Sequence, residues 1–528
     1  MRTHPKRSRA EVPISTSRLQ ASPPTPEGTP PGNGRERSEN LDRSLVSGVA
    51  WTSAGKVAVQ AVRWLATLLI ARILSPADYG IVGMAVLFTG LVNLVSELGI
   101  GAAIVHRQDR LTEDQIARLG GVALLTGLLL AGFAAAASPL VAAFFSEPGV
   151  RAVVMVMSLQ FVLESIRVVP RSLLNRDLQF RTLALIEVVE GIVLAVATLG
   201  LALGGLGYWA IVGGILIHSA TGTLISVRVR SHRIAWPRDL PSILSEVKFG
   251  AHLVLSRIGW YTYSNADFGV IGRMFGKSTL GDYTIGWNLA SVPVERVTTI
   301  VSRIALPIFS RLQDDRDEFR RSLRNITQAL SFITFPAAVG LALVADVFVL
   351  VVLGEKWTGA IQPLRILALA AILRSVTPVL TPALIGIGRP DLASRFSVIG
   401  ALTLPPAFVL AALRFGPAGV AWVWLLVYPV VAFSLLLRWT CRESGLRVRN
   451  YLLALWPASA GSAAMAAAVY GVRHLGLDGH APAVVLFASA GVGAVVYVAV
   501  MATAFRTKSK RMWELVRSLR AGRKRKRA

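Results

Sequence analysis

The chain has 528 residues, 53% of them hydrophobic and only 16% charged, with a mean hydropathy of +0.56. So little polar area cannot make a water-compatible surface, which excludes a soluble globular protein and points to a polytopic membrane protein. The net charge of +26 would suggest nucleic acid in a soluble chain, but here it has to be read against the membrane spans.

Residues 1–43 are rich in Pro, Ser, Arg and Gly and include SPPTPEGTPPGNG. Such a segment cannot bury enough apolar area to offset its ordering entropy, and a disordered cytoplasmic tail is expected. It has no short apolar signal-peptide core, so the first span is expected to direct insertion. Runs of about 18 or more apolar residues then predict about fourteen transmembrane helices. Residues 44–228 hold spans 1 to 6: Leu45–Ile70, Gly80–Val105, Leu119–Phe144, Ala152–Val169, Leu183–Leu203 and Tyr208–Val227. A linker at 229–248 leads to spans 7 to 12 within 249–438: Phe249–Ile271, Tyr283–Leu306, Ile326–Leu353, Ile361–Ile387, Ala393–Leu413 and Gly416–Leu437. Spans 13 and 14, Tyr451–Val472 and Ala481–Ala504, occupy 439–505, and a basic cytoplasmic tail fills 506–528.

With a cytoplasmic N-terminus, about 22 Lys and Arg fall in the inside loops between spans and about 7 in the opposite ones. The positive-inside rule therefore puts both termini in the cytosol. Cys441 is the sole cysteine, so neither an intramolecular disulfide nor a thiolate metal cluster is available.

TLLIARILSPADYGIVGMA, Thr67 to Ala85, joins spans 1 and 2 by a tight outside turn. Pro76 cannot continue a helix, Asp78 is placed to cap the next one, and Gly80 relaxes its start. The pattern Arg72…Asp78-Tyr79 returns as Arg273…Asp282-Tyr283, and NRDLQFR after span 4 is echoed by GRPDLASR after span 10. Two echoes at similar spacing indicate an internal duplication, two six-helix lobes with spans 13 and 14 added.

Span 1 carries Thr52, Lys56, Gln60, Arg63 and Thr67 on one helical face. Ionised groups near mid-bilayer cost about 2.5–3.5 kcal/mol each on insertion scales, so this face points into a cavity or pairs with neighbouring helices. Span 7 has a matching stripe of His252, Ser256, Gly259, Tyr263 and Asp267, with Arg257 and Asn265 off it. Glu164 and Arg167 are expected to neutralise each other across one turn. Glu187 and Glu190, like charges one turn apart, form either a protonatable coupling site or partners for Arg or His218. Glu97, Glu295, Arg296 and Arg303 are further intramembrane charges.

The mixed-charge segment DDRDEFRRSLRN, Asp314 to Asn325, reads as a short amphipathic connector between spans 8 and 9. The C-terminal stretch RTKSKRMWELVRSLRAGRKRKRA reads as a surface segment drawn to anionic membrane lipids rather than nucleic acid. Gly276-Lys277-Ser278-Thr279 has the ending of a phosphate loop, but the upstream Gly272 is one residue too close. There is no HExxH or His/Cys cluster, so no metal or cofactor is implied.

The 6+6+2 arrangement, the LLIARILSPADYGIVGMA turn and PRSLLNRDLQFRTLALIE resemble the polysaccharide transporter family, Wzx-type flippases of lipid-linked oligosaccharides in the MOP superfamily. The resemblance spans about residues 44–505 and implies an all-α, two-lobed MATE/MOP-like bundle with a central cavity. It implies a bacterial inner-membrane protein, not an enzyme, that moves an undecaprenyl-diphosphate-linked repeat unit outward, with polysaccharide polymerase and export machinery as candidate partners. A diphosphate needs cationic partners and a glycan needs amides and aromatic faces. Lys56, Gln60, Arg63, His252, Arg257, Tyr263, Asp267 and Arg296 are the candidate cavity residues, with Trp260, Tyr261 and Asn265 beside them. Glu187 and Glu190 are the candidates for ion coupling. A MATE-like cation exporter would instead use Glu97, Glu187, Glu190 or Asp267. A membrane glycosyltransferase would need long outside loops, which the chain lacks.

Overall fold

Hydrocarbon offers the backbone no hydrogen-bond partner, so a chain this apolar has to satisfy its amides within each spanning segment. The computed structural model describes residues 65–96, 101, 104, 112–236, 240–476 and 479–506, and among these there are helices and no strands. The tail at 1–43, most of span 1 with Lys56, Gln60 and Arg63, Glu97, and residues 507–528 lie outside the described residues.

A helical stretch at 65–73 is followed by α1 (Pro76–Ser96), α2 (Glu113–Phe145), α3 (Gly149–Met157), α4 (Leu159–Arg176), α5 (Phe180–Leu203) and α6 (Tyr208–Val229). Spans 7 and 8 form one long run, α7 (Leu240–Arg311), broken at Gly276, where φ is 79° and ψ −176°. Then come α8 (Arg316–Leu343), α9 (Ala345–Phe348), α10 (Ile361–Gly386), α11 (Pro390–Trp422), α12 (Ser434–Ser444), α13 (Val448–Gly476) and α14 (Pro482–Thr503). A 3-10 turn at Glu355–Ala360 precedes α10, and α11 breaks at Gly416. Ten helical runs among the described residues are long and apolar enough to cross a membrane.

The turns repeat in both halves. Gly207, Gly276 and Gly416 all reverse the chain at one end of the bundle with positive φ, a conformation L side chains rarely adopt. At the opposite end, Asp177, Leu178 and Gln179 donate to the carbonyls of Leu173, Asn175 and Leu174 at 2.8, 3.1 and 2.9 Å. Ile387, Gly388 and Arg389 do the same to Ala383, Ile385 and Leu384 at 3.1, 3.0 and 2.9 Å. The second sequence echo is thus a repeated helix C-cap, with Leu178 (φ 55°) standing where the later copy has Gly388 (φ 88°).

The first echo is repeated as a backbone crossing. A Cβ on Gly80 would lie 1.8 Å from the Lys277 carbonyl oxygen, and a Cβ on Gly281 would lie 1.8 Å from the Pro76 carbonyl oxygen. The register therefore pairs Pro76 with Lys277 and Gly80 with Gly281, so Asp78 corresponds to Thr279 and not to Asp282. Nor does Asp78 act alone as the cap of α1. The Ser75 hydroxyl accepts from Asp78 N–H at 3.3 Å while Asp78 Oδ2 accepts from Ser75 N–H at 2.9 Å, a reciprocal capping pair. Asp78 Oδ1 also accepts from Tyr208 N–H at 2.9 Å, tying the start of α1 to the start of α6.

Gly80→Ala forces apart two main chains that have no side chain to yield, and an overpacking cost of about 1–3 kcal/mol is expected. Gly83→Ala, whose Cβ meets Thr284 Oγ1 at an ordinary 3.5 Å, is the matched control. Thermal unfolding in detergent should drop for Gly80→Ala and stay near wild type for Gly83→Ala; equal drops would rule out the crossing as the cause.

Candidate functional site

Tyr263 and Asp267 of the span 7 stripe turn inward. Tyr263 and Asp267, one turn apart on α7, are 7% and 0% exposed, and Ile271 continues the buried face. Asp267 Oδ2 accepts from the Tyr283 hydroxyl at 2.7 Å and from Trp424 Nε1 at 2.8 Å, while Oδ1 is buried without a partner. Around this carboxyl packs an aromatic cluster. Trp287 stacks on Tyr283 at 6.4 Å between centroids and lies 5.3 Å from Trp424, which in turn contacts Phe408 and Tyr428.

The Arg374 guanidinium sits 3.8 Å from the centroid of Trp287 and 5.4 Å from that of Trp424. It makes a cation–π contact over Trp287, with Trp424 beside it, and makes no ion pair with a described residue. The Tyr428 hydroxyl shares a 2.9 Å hydrogen bond with Thr377, on the same helix as Arg374. Sequence reasoning missed Arg374; its signal was a lone arginine inside the apolar run ILALAAILRSVTPVL. Such a set can hold an anion at the guanidinium and stack a sugar or isoprenoid face on indole.

The earlier half is ionic instead. Arg167 pairs with Glu164 one turn away, and Glu190 is held by both Arg167 (3.3 Å) and Arg171. Arg171 Nε reaches the Ser226 hydroxyl at 3.4 Å, and His218 Nδ1 bonds the Glu190 carbonyl at 3.0 Å. Gly222 makes room for this carboxylate, since a Cβ there would lie 1.6 Å from Glu190 Oε1. Glu187 is exposed one turn away, so the two acids are separated. The side chains of His252, Arg257, Arg296 and Arg303 lie outside the described residues.

A cavity of about 820 Å³ opens between α1, α2, α7 and α11. Tyr261 and Asn265 line it, but the Tyr261 hydroxyl is spent on the Leu87 carbonyl (2.9 Å) and the Asn265 amide on the Tyr261 carbonyl (2.9 Å). The remaining wall is largely apolar, with Leu87, Phe88, Leu91, Phe133 and Phe145 among its side chains, so the space suits hydrocarbon better than glycan.

At the Gly276 end the two halves are joined by further contacts. Trp357 Nε1 donates to the Ala71 carbonyl at 2.8 Å, and Lys356 Nζ reaches the carbonyls of Arg72 and Ile73 at 2.6 and 3.0 Å. These cap the open C-terminal carbonyls of the 65–73 helix. Lys277 pairs with Glu147 at 3.0 Å, Arg273 donates to the Ser146 hydroxyl at 2.5 Å, and Tyr79 sits edge-on to Trp357.

Residues 69–362, more than half of the chain, match the family described as polysaccharide biosynthesis protein. The chain belongs to this family. As a polysaccharide biosynthesis protein it is 29% identical to the teichuronic acid biosynthesis protein TuaB of Bacillus subtilis over 76% of its own length and 83% of that protein's. It is 25% identical to the lipopolysaccharide biosynthesis protein WzxC of Escherichia coli over 79% and 85% of the two chains. Among solved structures, the lipid II flippase MurJ in an inward closed conformation superposes with a TM-score of 0.71 at 16% identity, over 87% of this chain and 99% of that one. The helical membrane fold expected from the sequence is therefore the fold found.

Stripping one donor from the buried Asp267 leaves it under-satisfied, at an expected cost of about 1–3 kcal/mol. Tyr283→Phe should lower the unfolding temperature in detergent, and the drop should shrink in an Asp267→Asn background, where no charge needs the donor. The same drop in both backgrounds would mean that the hydroxyl does not act through Asp267.

Proposed function

We propose that this protein is a flippase that carries polyprenyl-diphosphate-linked oligosaccharide repeat units, of the undecaprenyl-diphosphate type, across a bacterial cytoplasmic membrane for surface polysaccharide synthesis. It works by alternating access and without enzyme chemistry. The observation that carries this reading is the family match over residues 69–362. The names of its relatives, for teichuronic acid and lipopolysaccharide biosynthesis, and of its structural neighbour, a lipid II flippase, point to one cargo class, a sugar on a lipid carrier.

On this reading residues 44–228 and 249–438 are the moving lobes, the Gly276 end faces outward, and both termini are cytoplasmic. The contacts of Lys356, Trp357, Lys277 and Arg273 then form an outer seal, and cargo enters from the inner side. Lys56, Gln60 and Arg63 of span 1 face the diphosphate, helped by Arg257, Arg296 and Arg374, with His252 at the inner approach. Tyr263 and Asp267 act from behind, holding the aromatic cluster that packs Arg374. Of the two coupling candidates, the exposed Glu187 is left for an ion gradient, while Glu190 is held by Arg167 and Arg171. The 820 Å³ apolar cavity gives the prenyl chain a place beside the crossing. Polymerase and export machinery take the product in the outer leaflet, and the basic tail holds to anionic lipid.

Reconstituted protein should expose nearly all of a fluorescent polyprenyl-diphosphate glycan to an external membrane-impermeant quencher, where protein-free vesicles shield the inner-leaflet pool. Exposure no greater than in protein-free vesicles would overturn the reading. Lys56→Ala with Arg63→Ala should return exposure to the protein-free level and abolish surface polysaccharide while the protein still inserts; normal polysaccharide would sink the span 1 assignment.

A further inference from the structure

The mixed-charge connector before span 9 builds a cleft apart from the buried cluster around Asp267 and Arg374. Arg320 and Arg324 lie one turn apart near the start of α8, and Arg447 and Asn450 lie at the start of α13. They surround a cleft of about 350 Å³ whose floor is the turn at Gly445 and Leu446. Gly445 ends α12 in the left-handed conformation (φ 70°), and Leu446 N–H returns to the Cys441 carbonyl at 2.9 Å. A Cβ on Gly445 would lie 3.7 to 3.8 Å from three atoms of the Arg320 guanidinium, which therefore packs face-on over the turn.

Three observations mark this cleft as built for an anion. Arg320 Nε is buried and has no hydrogen-bond partner, and an orphaned cationic donor costs more than an ordinary unmade bond. Four arginines line the cleft against one acid, Asp317, which is 86% exposed and 3.4 Å from Arg320 Nη1. Arg321 is spent on Glu318 at 2.9 Å, whereas Arg324 and Arg447 make no ion pair with a described residue. Finally, α13 has no acid in its first turn to complement its positive end. The N-terminus of α8 differs, since Asp315 already accepts from the amides of Asp317 and Glu318 at 3.1 and 3.0 Å.

We propose that this cleft is a phosphate-binding site in which Arg320, Arg324 and Arg447 hold the phosphate ester of an anionic phospholipid headgroup. The guanidinium fork matches phosphate oxygens, and tetrahedral phosphate can accept from several arginines at once, which a planar carboxylate does less well. The cleft lies where two helices long and apolar enough to cross a membrane begin, at the bundle end that the charge distribution assigns to the cytosol. Free phosphate offers the same chemistry, so the test separates the two sources. The site is independent of the cargo.

The full-length protein is reconstituted in nanodiscs of phosphatidylcholine, with or without phosphatidylglycerol, and its thermal unfolding is followed. Phosphatidylglycerol should raise the unfolding temperature of wild type. The Arg324→Gln, Arg447→Gln double variant, which breaks no ion pair to a described residue, should need at least about tenfold more phosphatidylglycerol for the same shift. Arg321→Gln, on the exposed lining arginine that is already spent on Glu318, should respond like wild type. An equal response in wild type and the double variant, or an equal loss in Arg321→Gln, overturns the site. In phosphatidylcholine alone, inorganic phosphate at constant ionic strength is the second arm. If it stabilises wild type but not the double variant while phosphatidylglycerol does nothing, the headgroup assignment fails and the ligand is a soluble phosphate.

Discussion

Two helices from opposite halves of the chain meet main chain to main chain, Gly80 against the Lys277 carbonyl and Gly281 against the Pro76 carbonyl. In a bilayer there is little hydrophobic drive between helices, so association depends on how closely they approach, and glycine allows the closest approach. The contact is reciprocal because the duplicated segments place a glycine at the same point after each turn. Other contacts at this end follow from that proximity. Trp357 reaches Ala71, and Lys277 reaches Glu147, only because the two helix starts cannot be held apart by a side chain.

The backbone repeats, but the chemistry inside does not. The earlier half neutralises its buried acid with arginines, Glu190 between Arg167 and Arg171. The later half hydrogen-bonds its buried acid to a phenol and an indole and leaves Arg374 to the faces of Trp287 and Trp424. An ion pair closes on itself, because both partners are consumed and removing either leaves an uncompensated charge. A guanidinium held on π-faces keeps its N–H donors available at its edge. Among the described residues, then, the later half keeps one buried guanidinium outside any ion pair, whereas the earlier half holds its buried acid between two.

The sequence made the spans legible because apolar length alone sets them, and the structure moves most boundaries by only a few residues. It made the repeats legible but misplaced the first register. Asp78-Tyr79 and Asp282-Tyr283 look alike as side chains, whereas the element that recurs is a backbone contact at Gly80 and Gly281. The Glu164–Arg167 pair was visible because its partners are one turn apart. The partner of Asp267 at Trp424 was not, because it lies far along the chain and indole in a membrane helix usually signals packing or an interface. Arg374 escaped because a charge inside a long apolar run scarcely alters its hydropathy. The phosphate cleft escaped because DDRDEFRRSLRN reads as a solvated connector until Arg447 and the Gly445 turn are brought beside it.

The polar contacts at the Gly276 end are of the kind that water can replace. Lys277 and Glu147 are 40% and 20% exposed, and partly exposed pairs of this kind contribute about 0–1 kcal/mol each. The lysine caps on Arg72 and Ile73 are likewise charge-to-carbonyl contacts that water can replace. Trp357 is the exception, a fully buried indole whose donor goes to the opposite half. Beneath these contacts Met84, Ala85, Leu280 and Tyr283 belong to one buried apolar cluster shared by the two halves, so parting the halves costs apolar burial as well as polar contacts. The proposed alternation therefore has to exchange the polar contacts with water and also part this apolar packing around the glycine crossing.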